Sequence, residues 1–222
     1  MLEWDFATAE HRYLQAIALN PSDTVARRRY AWLLAAQRRY PEAAAEIGQI
    51  RLLDPLYYQS AGMATLLLYA GQPERAAAEF ERIAASRALR ADELRSQAVA
   101  YRAMGAEAKA HATLLRLLQA HAPGGGAGAT SPASAVPAPR TEMLYREVLD
   151  AGLFRSPTIS AGIHNALGDS AAALAELERA VAERDPDAIY LDAMPELASL
   201  RTHPRFRALS KQVGANPHGG LN

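Results

Sequence analysis

The chain of 222 residues contains no cysteine, which excludes disulfides and thiolate chemistry and is compatible with a reducing compartment. It has no excess of either charge. Its 24 Lys and Arg equal its 24 Asp and Glu, so no net field draws it towards nucleic acid or a membrane surface. Long apolar runs are missing too: Gly71, Arg82 and Arg116 interrupt the best candidates well short of a bilayer-spanning length. The opening residues Met1-Leu2-Glu3-Trp4-Asp5-Phe6 lack the basic and apolar regions of a secretory signal, so the expected location is the cytoplasm. Half of the residues are nevertheless apolar, ample for a core.

The usual signatures of chemistry are also lacking. His11, His111, His121, His164, His203 and His218 include no pair at metal-ligand spacing on one helix with a carboxylate alongside. Gly124-Gly125-Gly126 lacks the lysine and the strand-to-helix setting of a phosphate loop. No serine lies in a nucleophile-elbow context, and carboxylates such as Glu176 and Glu178 fall on solvated helix faces. Nothing assembles a nucleophile, a base and an oxyanion site. The expectation is a noncatalytic protein with no cofactor and no metal. Arg27-Arg28-Arg29 and Arg38-Arg39 are the basic clusters. Three successive helical residues point in three directions, so Arg27 to Arg29 cannot make one phosphate-binding face, and direct nucleic-acid binding is not expected.

What the chain does have is a period. Ala9, Ala43, Ala76 and Ala110 stand 34, 33 and 34 residues apart. Three residues before them come Phe6, Tyr40, Pro73 and Glu107, and four residues after come Tyr13, Ile47, Phe80 and Leu114. The first two copies end in Ala18-Leu19-Asn20-Pro21 and Leu52-Leu53-Asp54-Pro55. A period near 34 with helical spacing and a closing proline signals stacked helical hairpins.

Helices are expected at 5–19, 24–37, 41–53, 57–70, 73–87, 91–104 and 106–121. Asn20-Pro21 stops the first, because proline disfavours a helical residue before it and has no amide to continue the ladder. Ser22 or Asp23 is placed to cap the second, Pro41 and Pro73 to open their helices, and Gly71 to take the left-handed position after a helix. Residues 123–139 carry no charge and no aromatic group, and such a Gly/Pro/Ser/Ala composition reads as a flexible tether. Beyond it, helices are expected at 141–151, from Ser156-Pro157 to Gly168, and at 170–184. Short helices started at Pro195 and Pro204 follow within 187–213.

The repeated signature resembles the tetratricopeptide repeat (TPR) family, over roughly 5–122 and 157–185. That resemblance implies an all-α solenoid of helical hairpins, with small residues where paired helices cross: Ala31 with Ala43, Ala64 with Ala76, Ala98 with Ala110, and Ala161 with Ala173. The layout it implies is an array over 1–122 whose first repeat lacks its first helix, a linker at 123–139, a final hairpin with capping helices at 140–213, and a disordered tail at 214–222. The missing first helix suggests truncation from something longer. A narrower resemblance covers 156–213, carried by Leu167-Gly168-Asp169, Leu177-Glu178-Arg179-Ala180, Pro195 and His203-Pro204-Arg205-Phe206. It is similar to the ending of TPR regions at the C-termini of bacterial winged-helix regulators and related signalling proteins.

In TPR arrays the first helix of each hairpin lines a concave face. Carried over onto this chain, the groove positions include Arg28, Trp32, Tyr58, Thr65, Tyr69, Arg95 and Arg102. Such an aromatic-basic trough suits a peptide with apolar anchors and an acidic group, because Trp, Tyr and Arg supply contact area and forked donors. The lysines and asparagines of the co-chaperone carboxylate clamp are not present. The competing reading is that Trp32 and the tyrosines pack between adjacent units. The resemblance implies a noncatalytic scaffold binding a protein or peptide partner, with self-association possible. The alternative is the regulatory part of a bacterial transcription regulator or signalling enzyme whose effector domain is missing.

Overall fold

The computed structural model describes residues 5–58, 60–121 and 141–214. The expected linker and the tail beyond Gly214 lie outside these residues. Every regular element among the described residues is helical. The order is α1 (Phe6–Leu19), α2 (Thr24–Ala36), α3 (Tyr40–Leu53), α4 (Pro55–Tyr58), α5 (Ala61–Tyr69), α6 (Pro73–Ser86), α7 (Ala91–Ala103) and α8 (Glu107–His121). Then come α9 (Thr141–Asp150), α10 (Pro157–Ala166) and α11 (Ser170–Glu183), two 3₁₀ turns (Pro186–Tyr190 and Pro195–Leu200), and α12 (Pro204–Val213).

The start signals act locally. Asp5 accepts from the Thr8 amide at 2.9 Å, Asp23 from those of Val25 and Ala26 at 3.0 Å, and Asp169 from that of Ala172 at 2.9 Å. Each carboxylate satisfies a first-turn donor that the helix itself leaves open. Proline opens α6, α10 and α12, where its missing amide removes nothing. Gly71 and Gly105 adopt φ of 72° and 71° after their helices; in the second hairpin Arg38 makes the same turn at φ 59° without being glycine.

One expected helix is split in two. The helix expected over 57–70 is broken: Asp54 accepts from the Tyr57 amide at 2.9 Å to start the single turn α4, and Ser60 caps a fresh start at Ala61 through Met63 at 3.2 Å. The short helices expected at Pro195 and Pro204 are both present, the first as a 3₁₀ turn, and a further 3₁₀ turn precedes it at Pro186.

Hairpin partners pack in pairs: α2 on α3, α5 on α6, α7 on α8, and α10 on α11. All eight alanines expected at these crossings are completely buried, which lets backbones approach closely without a void. α1 lies on α2, and Glu10 joins them by accepting from the Tyr30 hydroxyl at 3.0 Å and from Arg39 at 2.6 Å. Neighbouring pairs connect through α6 on α7, α8 on α9 and α9 on α10. The first helices of three hairpins also form a row, α2 against α5 and α5 against α7. The first 3₁₀ turn reaches α2, and the second reaches α7 and α10.

One buried apolar cluster therefore runs from Phe6 and Tyr30 through Leu67 and Tyr69 to Leu177, Leu191, Met194, Leu197 and Phe206. The stretches on either side of residues 122–140 share this core. Leu191, Met194 and Leu197 are completely buried. Each such side chain contributes about 1.5–3 kcal/mol relative to leaving it in water.

Candidate functional site

The face built by α2, α5 and α7 is where the groove residues were expected. Trp32 on α2 and Tyr69 on α5 meet edge to face, with ring centroids 5.7 Å apart and planes at 88°. A third ring completes the group. Tyr190, at the end of the first 3₁₀ turn, lies 5.2 Å from Trp32 and 5.6 Å from Tyr69. These are favourable offset and edge geometries, each adding about 0.5–1.5 kcal/mol beyond the area buried.

Arg95 on α7 faces the same region, and Glu196 from the second 3₁₀ turn meets it. The guanidinium donates through Nη1 to Glu196 Oε1 at 2.6 Å, with both side chains only 7 % exposed. It also interacts electrostatically with Tyr69 and lies 5.9 Å from the Phe154 ring. Burial works against the Arg95 charge, but Tyr69 and Glu196 outweigh it and hold the group more firmly protonated than a free arginine. Tyr69 is pushed up to about 12, chiefly by burial. The pair is nonetheless a one-point contact. Arg95 Nε and Glu196 Oε2 are both buried without a hydrogen-bond partner, whereas the guanidinium–carboxylate fork commonly makes two parallel bonds.

Local structure puts Tyr190 and Glu196 there. Asp185 begins the segment by accepting from the Ser156 hydroxyl at 2.6 Å and from the Thr158 amide and hydroxyl at 3.0 and 2.8 Å. Burial alone would raise Asp185, yet these donors hold it below the ordinary carboxylate range. On α10 the absent side chain of Gly162 leaves room for Glu196, whose Cγ would lie 3.3 Å from an added Cβ. Asn165 on the same helix donates to the Glu196 carbonyl at 2.6 Å. Ser210 of α12 donates to Asp192, a buried carboxyl that burial raises above its usual value.

The other expected groove residues go elsewhere. Arg28 stacks over Tyr57, 4.6 Å from the ring centroid. Thr65 donates to the Ala61 carbonyl of its own helix at 3.1 Å. Tyr58 ends α4, and its side chain lies outside the described part. Arg102 lies over Tyr145 at 5.1 Å, and its ion pair to Glu107 spans a long 3.9 Å. Around Arg102 an open crevice of about 350 Å³ runs between Val99, Tyr145, Asn165 and Ser199. Within the basic clusters Arg27 pairs with Glu46 at 2.7 Å, and Arg39 with Glu10 and Glu42 at 2.6 Å each.

Trp32, Tyr69 and Arg95 are therefore brought together, while Arg28, Thr65 and Arg102 are not part of that contact. Repeat register could not reveal Tyr190 and Glu196, because the 186–200 segment has no period to align. A different signal was available. The chemistry expected of a ligand, an aromatic anchor and an acid, is written in the chain itself as Tyr190-Leu191-Asp192-Ala193-Met194-Pro195-Glu196. Among the described residues no group of three or more His, Asp or Glu side chains could hold a metal ion, and no helix is long and apolar enough to cross a membrane.

Fold and site define an all-α protein of packed adjacent helical pairs in which the 186–200 segment meets the row formed by α2, α5 and α7. No protein-family model, curated protein or solved structure matches the chain.

Proposed function

We propose that this chain is a noncatalytic interaction module of the TPR type, whose inner, concave face holds an extended protein segment by an aromatic anchor and a carboxylate. One observation carries the reading. Three groove residues selected by repeat register, Trp32, Tyr69 and Arg95, converge on one aromatic and one acidic side chain, Tyr190 and Glu196. Trp, Tyr and Arg are the residues that dominate protein interfaces, and a preformed helical surface leaves little ordering cost to the receptor. The partner is a protein or peptide, and the face offers no chemistry for nucleic acid because its cation is already paired.

Selection of a random peptide library on the full chain tests this. In a Trp4→Phe background Trp32 is the single tryptophan and reports on the face. Enriched peptides that pair an aromatic residue with an acid and change Trp32 emission support the reading. Peptides that bind without affecting Trp32 would place the interaction on another surface.

A further inference from the structure

The 186–200 segment enters the inner face as a loop between two helices that also pack on each other, α11 and α12. Both of its ends are thus anchored independently of the face. The segment supplies Tyr190 to Trp32 and Tyr69, and Glu196 to Arg95. Its fit is uneven. Leu191, Met194 and Leu197 are fully buried, but Arg95 Nε and Glu196 Oε2 lack partners, and the carboxyl of Asp192 is taken out of water against a single hydroxyl. Buried polar atoms left without partners weaken a contact, and an Arg that could bind a carboxylate by two parallel bonds here makes one.

Resting on the interaction-module reading above, we infer that residues 186–200 are a ligand held in cis, and that the same face takes in exchange a partner segment with an aromatic residue followed six positions later by a carboxylate. The spacing is that of Tyr190 and Glu196. The buried leucines and methionine keep the free chain closed, so the exchange is a competition and not an open groove awaiting a ligand. A partner carboxylate arriving square to the guanidinium gains the second hydrogen bond that Glu196 does not make. The 186–200 segment sets a threshold of affinity that a partner must exceed, since a site populated only in a minor state binds with correspondingly reduced apparent affinity.

The test uses the full chain and a fluorescein-labelled synthetic peptide with the sequence of residues 185–201. Its binding is compared between the native protein and a Tyr190→Ala, Glu196→Gln variant, with helical circular dichroism as the folding control. The expected result is at least tenfold tighter binding to the variant, abolished when Arg95→Gln is added. Equal binding to both proteins would leave the interaction module standing and remove the cis-ligand. No binding to a folded variant would overturn the exchange, and the interaction-module reading would then rest on the peptide selection reported by Trp32. Gly162→Leu is a second opening change, since it crowds Glu196 without altering either contact partner. Should both variants unfold, amide exchange of the native chain decides. Residues 186–200 are expected to exchange by local opening, ahead of α11 and α12. Exchange of all three only together would show a permanent structural element and overturn the inference.

Discussion

Arg95 and Arg102 stand two turns apart on α7, and repeat register places both in the same trough. Arg95 is buried against Glu196 at 2.6 Å with 7 % of its side chain exposed. Arg102 keeps 34 % of its side chain in solvent and reaches Glu107 only at 3.9 Å. The two residues have the same chemistry and the same helix. What separates them is that the 186–200 segment pairs Glu196 with Arg95, whereas beside Arg102 the same segment borders an open crevice. A groove position is defined by what lies over it, and that information sits a hundred residues away in the chain.

The sharpest way to break this comparison is to remove each arginine in turn. Arg95→Ala is expected to destabilise the fold by about 3–5 kcal/mol, because it leaves the Glu196 carboxylate buried and uncompensated. Urea unfolding measures this, and a loss under about 1 kcal/mol would mean that Glu196 is solvated. Tyr190→Ala comes next, at about 2–3 kcal/mol for a partly buried ring in an aromatic cluster. In the Trp4→Phe background it should also shift Trp32 emission. An unchanged spectrum would put Tyr190 away from Trp32.

A third expectation concerns pH. Burial raises the Asp192 carboxyl above its ordinary 3.8, with the Ser210 hydrogen bond working in the opposite direction. A carboxyl whose folded value is raised contributes stability fully below its ordinary value and loses it as pH rises through the raised one. Asp185 has the opposite sign, since its lowered value stabilises above 3.8 and that contribution disappears on acidification. Asp192→Asn keeps an acceptor for Ser210 and should remove only the first trend. The variant is expected to gain stability relative to the native chain as pH rises from about 4 to about 7. A constant difference across that range would show that Asp192 does not titrate with folding. The smallest effect belongs to Arg102→Ala, a half-exposed and loosely paired group, at about 0–1 kcal/mol. Losses comparable to those of Arg95→Ala would erase the contrast between the two sites.

Much of the hairpin arrangement could be read directly. The small-residue crossings, the caps at Asp23, Ser156 and Asp169 and the glycine turns depend on residues close in sequence, where local chemistry decides. Helix boundaries failed where two local signals competed. Asp54 and Ser60 both offer starts within six residues, and the chain uses each of them, splitting the expected helix. The site was half legible. The repeat resemblance selected Trp32, Tyr69 and Arg95, and with them Arg28, Thr65 and Arg102, which do not join that contact. It could not select Tyr190 and Glu196, because 3₁₀ turns between prolines carry no apolar period. Long-range pairing of that kind is fixed by the shape of the face, by the room Gly162 leaves and by the Asp185 anchor.

Arg95 and Glu196 pair between α7 and the second 3₁₀ turn. A double-mutant cycle with Arg95→Met and Glu196→Leu measures that pairing directly in the full chain by urea unfolding. Either single change should be strongly destabilising, and the double variant should recover much of the loss, since an apolar pair of similar volume replaces a buried ion pair at little cost. The expected coupling is about 2–3 kcal/mol. Additive single effects, with no recovery in the double variant, would show that the two side chains do not meet and that the C-terminal segment does not occupy this face.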